Sequence, residues 1–182
     1  MFARTPRLTL RPGWPEDAPA LARAIAHEEV AFKLSRLPWP YTLAHAEDWL
    51  ARAPEPDNHA FLIFAHDRGP RPELVGGMGL HPWDGDLEIG YWLTPAAWGQ
   101  GYATEAGRAV VGIARHALGR DRLRGRHNVD NPASGHVLRK LGFRETGRCT
   151  TPCLARGGAE VDSIAYELPL RVSAPVLEQV AA

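Results

Sequence analysis

The chain has 182 residues, 45% of them hydrophobic and 23% charged, and its 21 basic residues balance 21 acidic ones. That length suits one domain with a substantial core, and a zero net charge argues against broad binding to nucleic acid or an acidic membrane surface. No apolar run approaches the ~20 residues of a membrane span, and the opening Met-Phe-Ala-Arg-Thr-Pro-Arg lacks the apolar stretch of a signal peptide. Two cysteines, Cys149 and Cys153, are too few for a disulfide framework, so a reduced cytoplasmic protein is expected.

Leu8-Thr-Leu-Arg11 alternates and stops at Pro12-Gly13, which predicts a first strand. Asp17 is placed to N-cap a helix carrying Leu21, Ala24 and Ile25 on one face. Val30 to Tyr41 is rich in proline and aromatics, and Thr42 can cap a second helix with Ala46, Trp49, Leu50 and Ala53 on its buried side. Pro54 to Asn58 reads as loop. Ala60 to Ala65 is short and continuously apolar, as a strand covered on both faces should be. After a Gly/Pro turn, Leu74 to Leu80 predicts a third strand, whose Gly76, Gly77 and Gly79 indicate that something approaches it closely.

An Asp-Gly turn then leads to Asp86–Leu93. Its period of two puts Leu87, Ile89, Tyr91 and Leu93 on one face and Glu88, Gly90 and Trp92 on the other. A helix follows with Ala103, Ala106, Val110, Ile113 and Ala117 at helical spacing and Gly119 at its end. Leu123 to Val129 predicts a fifth strand. Asn131-Pro132 caps and opens another helix that buries Val137, Leu138 and Leu141 and stops at Gly142. Phe143–Arg148 and Val161–Leu168 can pair across a glycine-rich loop, and residues 169–182 read as a loosely held tail beyond a single domain of residues 1–168.

The strand–helix–strand run from 86 to 129 is a crossover unit, so its two strands should be parallel, while most other connections are hairpin-like. The expected fold class is therefore mixed α+β, with a ligand crevice at the carboxyl ends of the parallel pair. At that place lies Trp98-Gly-Gln-Gly-Tyr-Ala-Thr-Glu-Ala-Gly107, a turn that bares several amides at a helix N-terminus and so forms an anion cradle. It is not a dinucleotide fingerprint, because position 104 is Thr and the unit comes late in the chain. Nor is it a P-loop, which needs Gly-Lys-Ser/Thr.

These segments together resemble the Gcn5-related N-acetyltransferase superfamily, in particular its branch of ribosomal-protein N-terminal acetyltransferases and their small-molecule relatives. The likeness runs from Arg7 to Leu168. It includes Arg7-Leu-Thr-Leu-Arg-Pro12, Pro38-Trp-Pro-Tyr41, Glu88-Ile-Gly-Tyr-Trp-Leu93, Trp98 to Ala106, Asn131-Pro-Ala-Ser134 and Leu138-Arg-Lys-Leu-Gly-Phe143, in that order. The resemblance implies a mostly antiparallel sheet with a splayed parallel pair and helices on both faces. It also implies acetyl-CoA as acyl-donor cosubstrate, no metal, and an amine acceptor: a peptide or protein N-terminus or a small molecule. Neither nucleic acid nor membrane is an expected partner, and the chain is expected to be a monomer or homodimer.

Carried over by position, the coenzyme's pyrophosphate would meet Trp98, Gly99, Gln100, Gly101, Tyr102, Ala103 and Thr104. Trp98 stands where the family usually has Arg or Gln, a departure of little weight if backbone amides do the holding. The pantetheine arm would lie between the fourth and fifth strands beside Trp92 and Leu93, with Asn131 and Ser134 on the last helix touching it. Lys140 would touch phosphate, and Arg139 is a second candidate for that contact.

Acyl transfer to an amine needs a neutral nucleophile, a donor for the oxyanion and a proton for the departing thiolate. An α-amine titrates near ~8 and a lysine near ~10.4, so a lysine needs more help from a base. Glu88 is the candidate base, acting directly or through water, with a strand Glu paired to an Arg as the plainer alternative. A backbone N–H near Trp92 or Leu93 can serve the oxyanion. Many family members use a tyrosine as the thiolate's acid. Leu138 occupies that position here, and Ser134 or a water is the substitute. Phe32 to Tyr41, Trp39 and Tyr41 among them, with Trp83, Trp92 and the 149–160 loop, are candidates to line the acceptor slot or else to be ordinary core. Glu28 and Glu29 lie nearby in sequence. Glu105 is assigned no chemistry beyond its favourable place in a helix first turn.

None of the eight histidines has metal-site spacing, His127 alone lies near the presumed cleft, and no serine sits in a G-x-S-x-G elbow. A second class of function stays open: a coenzyme-A-binding module that keeps the fold without turnover.

Overall fold

The structure, a computed structural model, describes residues 1–52 and 57–170. Strands β1 (Ala3–Arg4), β2 (Leu8–Arg11), β3 (His59–Ala65), β4 (Glu73–Trp83) and β5 (Asp86–Leu93) form antiparallel neighbours in chain order. Strand β6 (Arg122–Asn128) lies parallel to β5, and β8 (Ala159–Pro169) and β7 (Arg144–Cys153) extend the sheet antiparallel beyond it. The order across this eight-stranded sheet is β1-β2-β3-β4-β5-β6-β8-β7.

Helices cover both faces. Helix α1 (Ala18–Ile25), the single turn α2 (Glu28–Ala31) and α3 (Leu43–Ala51) lie on one side, with Leu21, Ile25, Val30 and Ala46 packed against Leu62, Leu74 and Trp92. Helices α4 (Tyr102–His116) and α5 (Pro132–Lys140) lie on the other, where Ala106, Val110 and Leu138 meet Leu8, Leu10, Ile63, Leu80, Leu87 and Ile89. Period-two alternation in β5 is what divides the layers: Leu87, Ile89, Tyr91 and Leu93 join the α4–α5 core, and Trp92 joins the other. Fully burying each such leucine or isoleucine stabilises the fold by about 1.5–3 kcal/mol, so a one-residue slip of β5 would be costly.

Several local expectations need correction. Asp17 does not cap α1: Pro15 opens a 3-10 turn that runs into the helix, so Asp17 is already helical. Its buried carboxylate turns back to accept from the Trp14 N–H (2.8 Å) and takes both Arg11 nitrogens at 2.7 Å. Thr42 does cap α3, and His45 Nδ1 returns the favour by accepting from the Thr42 N–H at 3.1 Å, a capping box with His in the usual Glu position. In α4 the buried residue of the last turn is Ala114, and Ala117 is exposed. Strand β4 runs on through Pro82 to Trp83, and β7 runs on to Cys153, so residues 149–153 are strand and not loop. Strands β1 and helix α2 carry too few residues to show a period. Ala53 and most of the 54–58 loop lie outside the described residues, as do 171–182. Pro169 closes β8, and Leu170 is buried with its N–H donating to the Asp121 carbonyl (2.7 Å), so the ordered fold extends past 168.

Candidate active site

The parallel pair is incomplete in a way that opens the sheet. Strands β5 and β6 are in register only from Leu87 to Ile89 against Leu123 to Gly125, yet β5 continues to Leu93 and β6 to Asn128. On their outer edges both remain paired, β5 with β4 as far as Leu93 and β6 with β8 as far as Asn128. Beyond Ile89 and Gly125 the inner edges therefore part into a slot lined by main-chain donors and acceptors. Two glycines draw β4 tightly onto β5 at this level. A Cβ on Gly76 would sit 2.3 Å from the Trp92 carbonyl, and one on Gly77 would sit 2.6 Å from Trp92 Nε1. The close approach that β4's glycines predict is made by Trp92 at Gly76 and Gly77 and by the His59 carbonyl of β3 at Gly79 (2.9 Å from where a Cβ would lie), and the Trp92 indole packs into the α1–α3 layer.

At the mouth of the slot the chain makes its glycine turn. Gly99 and Gly101 take φ of 74° and 81°, a left-handed conformation that costs most residues roughly 1–2 kcal/mol. Gly101 is the N-cap of the 15-residue α4, and no side chain caps the first turn. The N–H groups there are bare and face the positive end of the helix dipole. Neighbouring side chains point away and brace the turn. Gln100 donates to the Ala96 carbonyl (3.0 Å) and accepts from Arg68 (3.2 Å), and Trp98 Nε1 donates to the Leu93 carbonyl (2.9 Å). Tyr102 is buried, with its hydroxyl donating to Asp67 at 2.6 Å. Of the predicted coenzyme-binding stretch, then, Gln100 and Tyr102 have their side chains committed to the scaffold and offer only main chain.

Glu105, given no role by its position in the sequence, anchors this turn from below. Its carboxylate accepts from Thr5 Oγ1 (2.6 Å) and from the Arg7 N–H (3.0 Å), and pairs with the Arg7 guanidinium, which also donates to the Gln100 carbonyl (3.1 Å). Burial alone would raise the Glu105 carboxyl, but the bonds from Thr5 and Arg7 outweigh it and hold it below the usual range. The one acidic side chain of α4's first turn is thereby neutralised, and the cradle keeps its positive character.

On the α1–α3 face of the sheet, just below the slot, sits Glu88. It is buried, and both oxygens are occupied: Oε1 by Arg126 Nε at 2.8 Å and Oε2 by His81 Nε2 at 3.2 Å. Arg126 in turn stacks on Trp83, with its guanidinium carbon 3.6 Å from the ring centroid. The cluster draws one or two residues from each of β4, β5 and β6. His81 and Arg126 were missed from sequence, where the pairing of the strands is legible but not the register that decides which side chains reach Glu88.

Across the slot, Asn131 Oδ1 accepts from the Ser134 N–H (3.4 Å), so it caps α5. Ser134 meets Tyr91: the phenol donates to the Ser134 carbonyl (2.9 Å) and shares a hydrogen bond with Ser134 Oγ (2.8 Å). Burial pushes the Tyr91 hydroxyl up to about 12, so it stays protonated at neutral pH. His127 is no part of a cleft. It is buried beneath α5, with Nδ1 2.8 Å from the Asn128 carbonyl oxygen and its ring packed on Gly135. Lys140 and Arg139 lie on α5's last turn, where Lys140 is exposed and Arg139 donates to Tyr166 (3.0 Å).

The expected acceptor walls fall into two groups. Trp83 belongs to the Glu88 cluster, half-exposed above Arg126. Trp39 is also half-exposed, whereas Tyr41 packs on the α1–α3 cluster and against His45. The 3-10 turn after β7 clasps the 32–41 connector: the Leu154 N–H donates to the Ser35 carbonyl (3.0 Å), and Arg156 donates to the Phe32 carbonyl (2.8 Å) while pairing with Asp130, which also holds Lys33. Among the described residues no group of three or more His, Cys, Asp or Glu side chains is placed to hold a metal ion.

A mixed sheet whose parallel pair parts beside an uncapped helix N-terminus leaves a crevice suited to an extended, anionic ligand. The acetyltransferase (GNAT) domain family matches residues 7–144, and the chain belongs to that family. It is 30% identical over 154 residues to the N-acetyltransferase YoaA of Bacillus subtilis (strain 168), a match covering 79% of this chain and 82% of YoaA. The GNAT-family acetyltransferase from Bacillus anthracis has the same fold, with a TM-score of 0.79 at 22% identity over 93% of this chain and 99% of that one. So does RimL, the ribosomal L7/L12 alpha-N-protein acetyltransferase in complex with coenzyme A, with a TM-score of 0.75 at 18% identity over 93% and 98%.

Proposed function

We propose that the protein transfers an acetyl group from acetyl-CoA to a primary amine, either a peptide or protein N-terminus or a small molecule, by direct attack on the thioester. The observation that carries this reading is the early end of the β5–β6 ladder, which leaves two strand edges free beside an uncapped helix N-terminus. Amides of residues 99–104 suit a diphosphate, and the edge of β5 beyond Ile89 suits the amide groups of a pantetheine arm. RimL's complex with coenzyme A and its action on a ribosomal protein's α-amine support a protein N-terminus as one acceptor class.

In this reading the amine nitrogen attacks the thioester carbon, and a main-chain N–H near Trp92 or Leu93 meets the oxyanion. The C–S bond then breaks, and the thiolate takes a proton from Ser134, which regains one from water and is held in place by its hydrogen bond to Tyr91. Asn131 both caps α5 and can hydrogen-bond the pantetheine arm. The Glu88 cluster removes the amine's proton, and Trp83 and Trp39 wall the approach.

Thiol release from acetyl-CoA with a panel of amines tests the assignment: peptides with free α-amines, lysine peptides with blocked N-termini, and small amines. Acceptor-dependent release of CoA is expected. Tight acetyl-CoA binding with no release across the panel would instead identify a coenzyme-binding module.

A further inference from the structure

We propose that His81, through Nδ1, is the group that takes the proton from the acceptor amine, and that Glu88 is the positioning residue that orients it. This inference rests on the acetyltransferase reading above. Glu88 is poorly placed to accept a proton itself. Its side chain is 5% exposed, Arg126 holds one oxygen at 2.8 Å, and His81 takes the other at 3.2 Å. Arg126 cannot readily swing aside, because it is half-enclosed and stacked on Trp83. Protonating Glu88 would sever a charge-assisted bond to a cation that never loses its charge.

His81 is the member of the cluster that opens outward, with its side chain 24% exposed. A carboxylate can only accept, so in the neutral ring the nitrogen facing it, Nε2, carries the hydrogen, and Nδ1 keeps a free lone pair. The position of that nitrogen matters most. A Cβ on Gly90 would lie 3.2 Å from His81 Cε1 and 3.7 Å from Nδ1, so this edge of the ring rests over Gly90. Gly90 is the first residue past the last β5–β6 pair, at the start of the slot. The glycine leaves room for the ring, and the ring brings its bare nitrogen to where the thioester end of the slot begins.

The charged neighbours of His81 are Glu88 from β5 and, through it, Arg126 from β6. Helix α1, which packs on β4, turns Ala18, Leu21, Ala24 and Ile25 inward and brings no charge. His59 of β3 pairs with Leu80 and so faces the opposite side of the sheet. In the step, the amine nitrogen bonds to the thioester carbon and the C–S pair leaves on sulfur. The amine proton passes to Nδ1, giving an imidazolium held against the Glu88 carboxylate.

His81→Gln tests this, since its amide N–H can still donate to Glu88 while no base remains. At neutral pH kcat is expected to fall by about 100-fold, at the lower end of general-base effects. KM for acetyl-CoA should stay within two-fold. The deficit should shrink as pH rises past ~8, where an α-amine acceptor loses its proton unaided. A variant within three-fold of wild type at every pH overturns the proposal. If wild type turns over no acceptor, the acetyltransferase reading fails, and nitrogen-15 NMR of the His81 ring decides its part separately. Hydrogen on Nε2 in wild type, lost as the dominant tautomer in Glu88→Gln, supports the orienting pair. Hydrogen on Nδ1 in wild type overturns it.

Discussion

The glycine turn at the mouth of the slot and the Glu88 cluster below it are built by opposite means. The turn is local and presents main chain: Gly99 and Gly101 shape it, and its side chains face away to brace it from Ala96, Arg68 and Arg7. The cluster is non-local and presents side chains, with His81, Glu88 and Arg126 meeting from three strands. A binding site made of amides, as proposed here, would tolerate side-chain drift, and Trp98 in place of the family motif's polar residue fits that proposal. A site made of three interlocking side chains would not tolerate it. Binding and chemistry should therefore respond separately to substitution.

The largest effect is expected at the turn. Gly99 has nothing within 4 Å of the place a Cβ would occupy, so substitution there meets no clash. Asp and Asn both tolerate its left-handed backbone. Gly99→Asp puts a carboxylate where a diphosphate is proposed to sit and should weaken acetyl-CoA binding by about 100-fold, or about 2.7 kcal/mol. Gly99→Asn, its neutral twin, should lose far less. Calorimetric titration gives both numbers, and equal losses would mean that no anion is held there.

Next in size is Ser134→Ala. It keeps the Asn131 cap, which uses the Ser134 main-chain N–H, but removes the hydroxyl beside Tyr91. About a ten-fold fall in kcat with KM for acetyl-CoA unchanged is expected, below the usual range for a full general acid because water can substitute. A rise in KM with kcat intact would move Ser134 from chemistry to binding.

The smallest effect concerns the brace and its pH dependence. The Glu105 carboxyl is held low in the fold, so its stabilising contribution is complete above the unfolded value of ~4.3 and is lost as pH falls below it. Arg7 is 37% exposed and partly screened, so the pair stabilises by about 1 kcal/mol only. Glu105→Gln should melt earlier than wild type at pH 7, and the two melting temperatures should converge as the pH falls well below ~4.3, through the carboxyl's lowered value in the fold. A gap that does not narrow as the pH falls would assign the loss to packing instead.

What could be read from the sequence follows the same division. The strand periods of β5, the Asn131-Pro132 cap with Gly142 at the far end of α5, and the crossover between Asp86 and Val129 are local patterns, and they define the layers and the parallel pair. The turn was legible for the same reason. Glu88 could be placed on the correct face and its strand beside β6, but its arginine partner could not be named, because the register sets Arg124 opposite it while Arg126 is the one that reaches it. Tyr91 shares the core-facing side of β5 with Leu87 and Ile89, and nothing in its spacing betrays a hydroxyl that reaches Ser134. Asp17 went astray because Pro15 begins the helical path early and a half-buried Arg11 claims the carboxylate. In each case the deciding contact spans strands or turns that spacing along the chain does not connect.

Backbone amide NMR on adding acetyl-CoA tests the slot and its turn together, without any acceptor. Shifts are expected to concentrate at residues 90–93 and 99–104, with a second group at 131–134 and little change elsewhere. Saturable binding that leaves 99–104 unmoved, with its shifts on another surface, would contradict it.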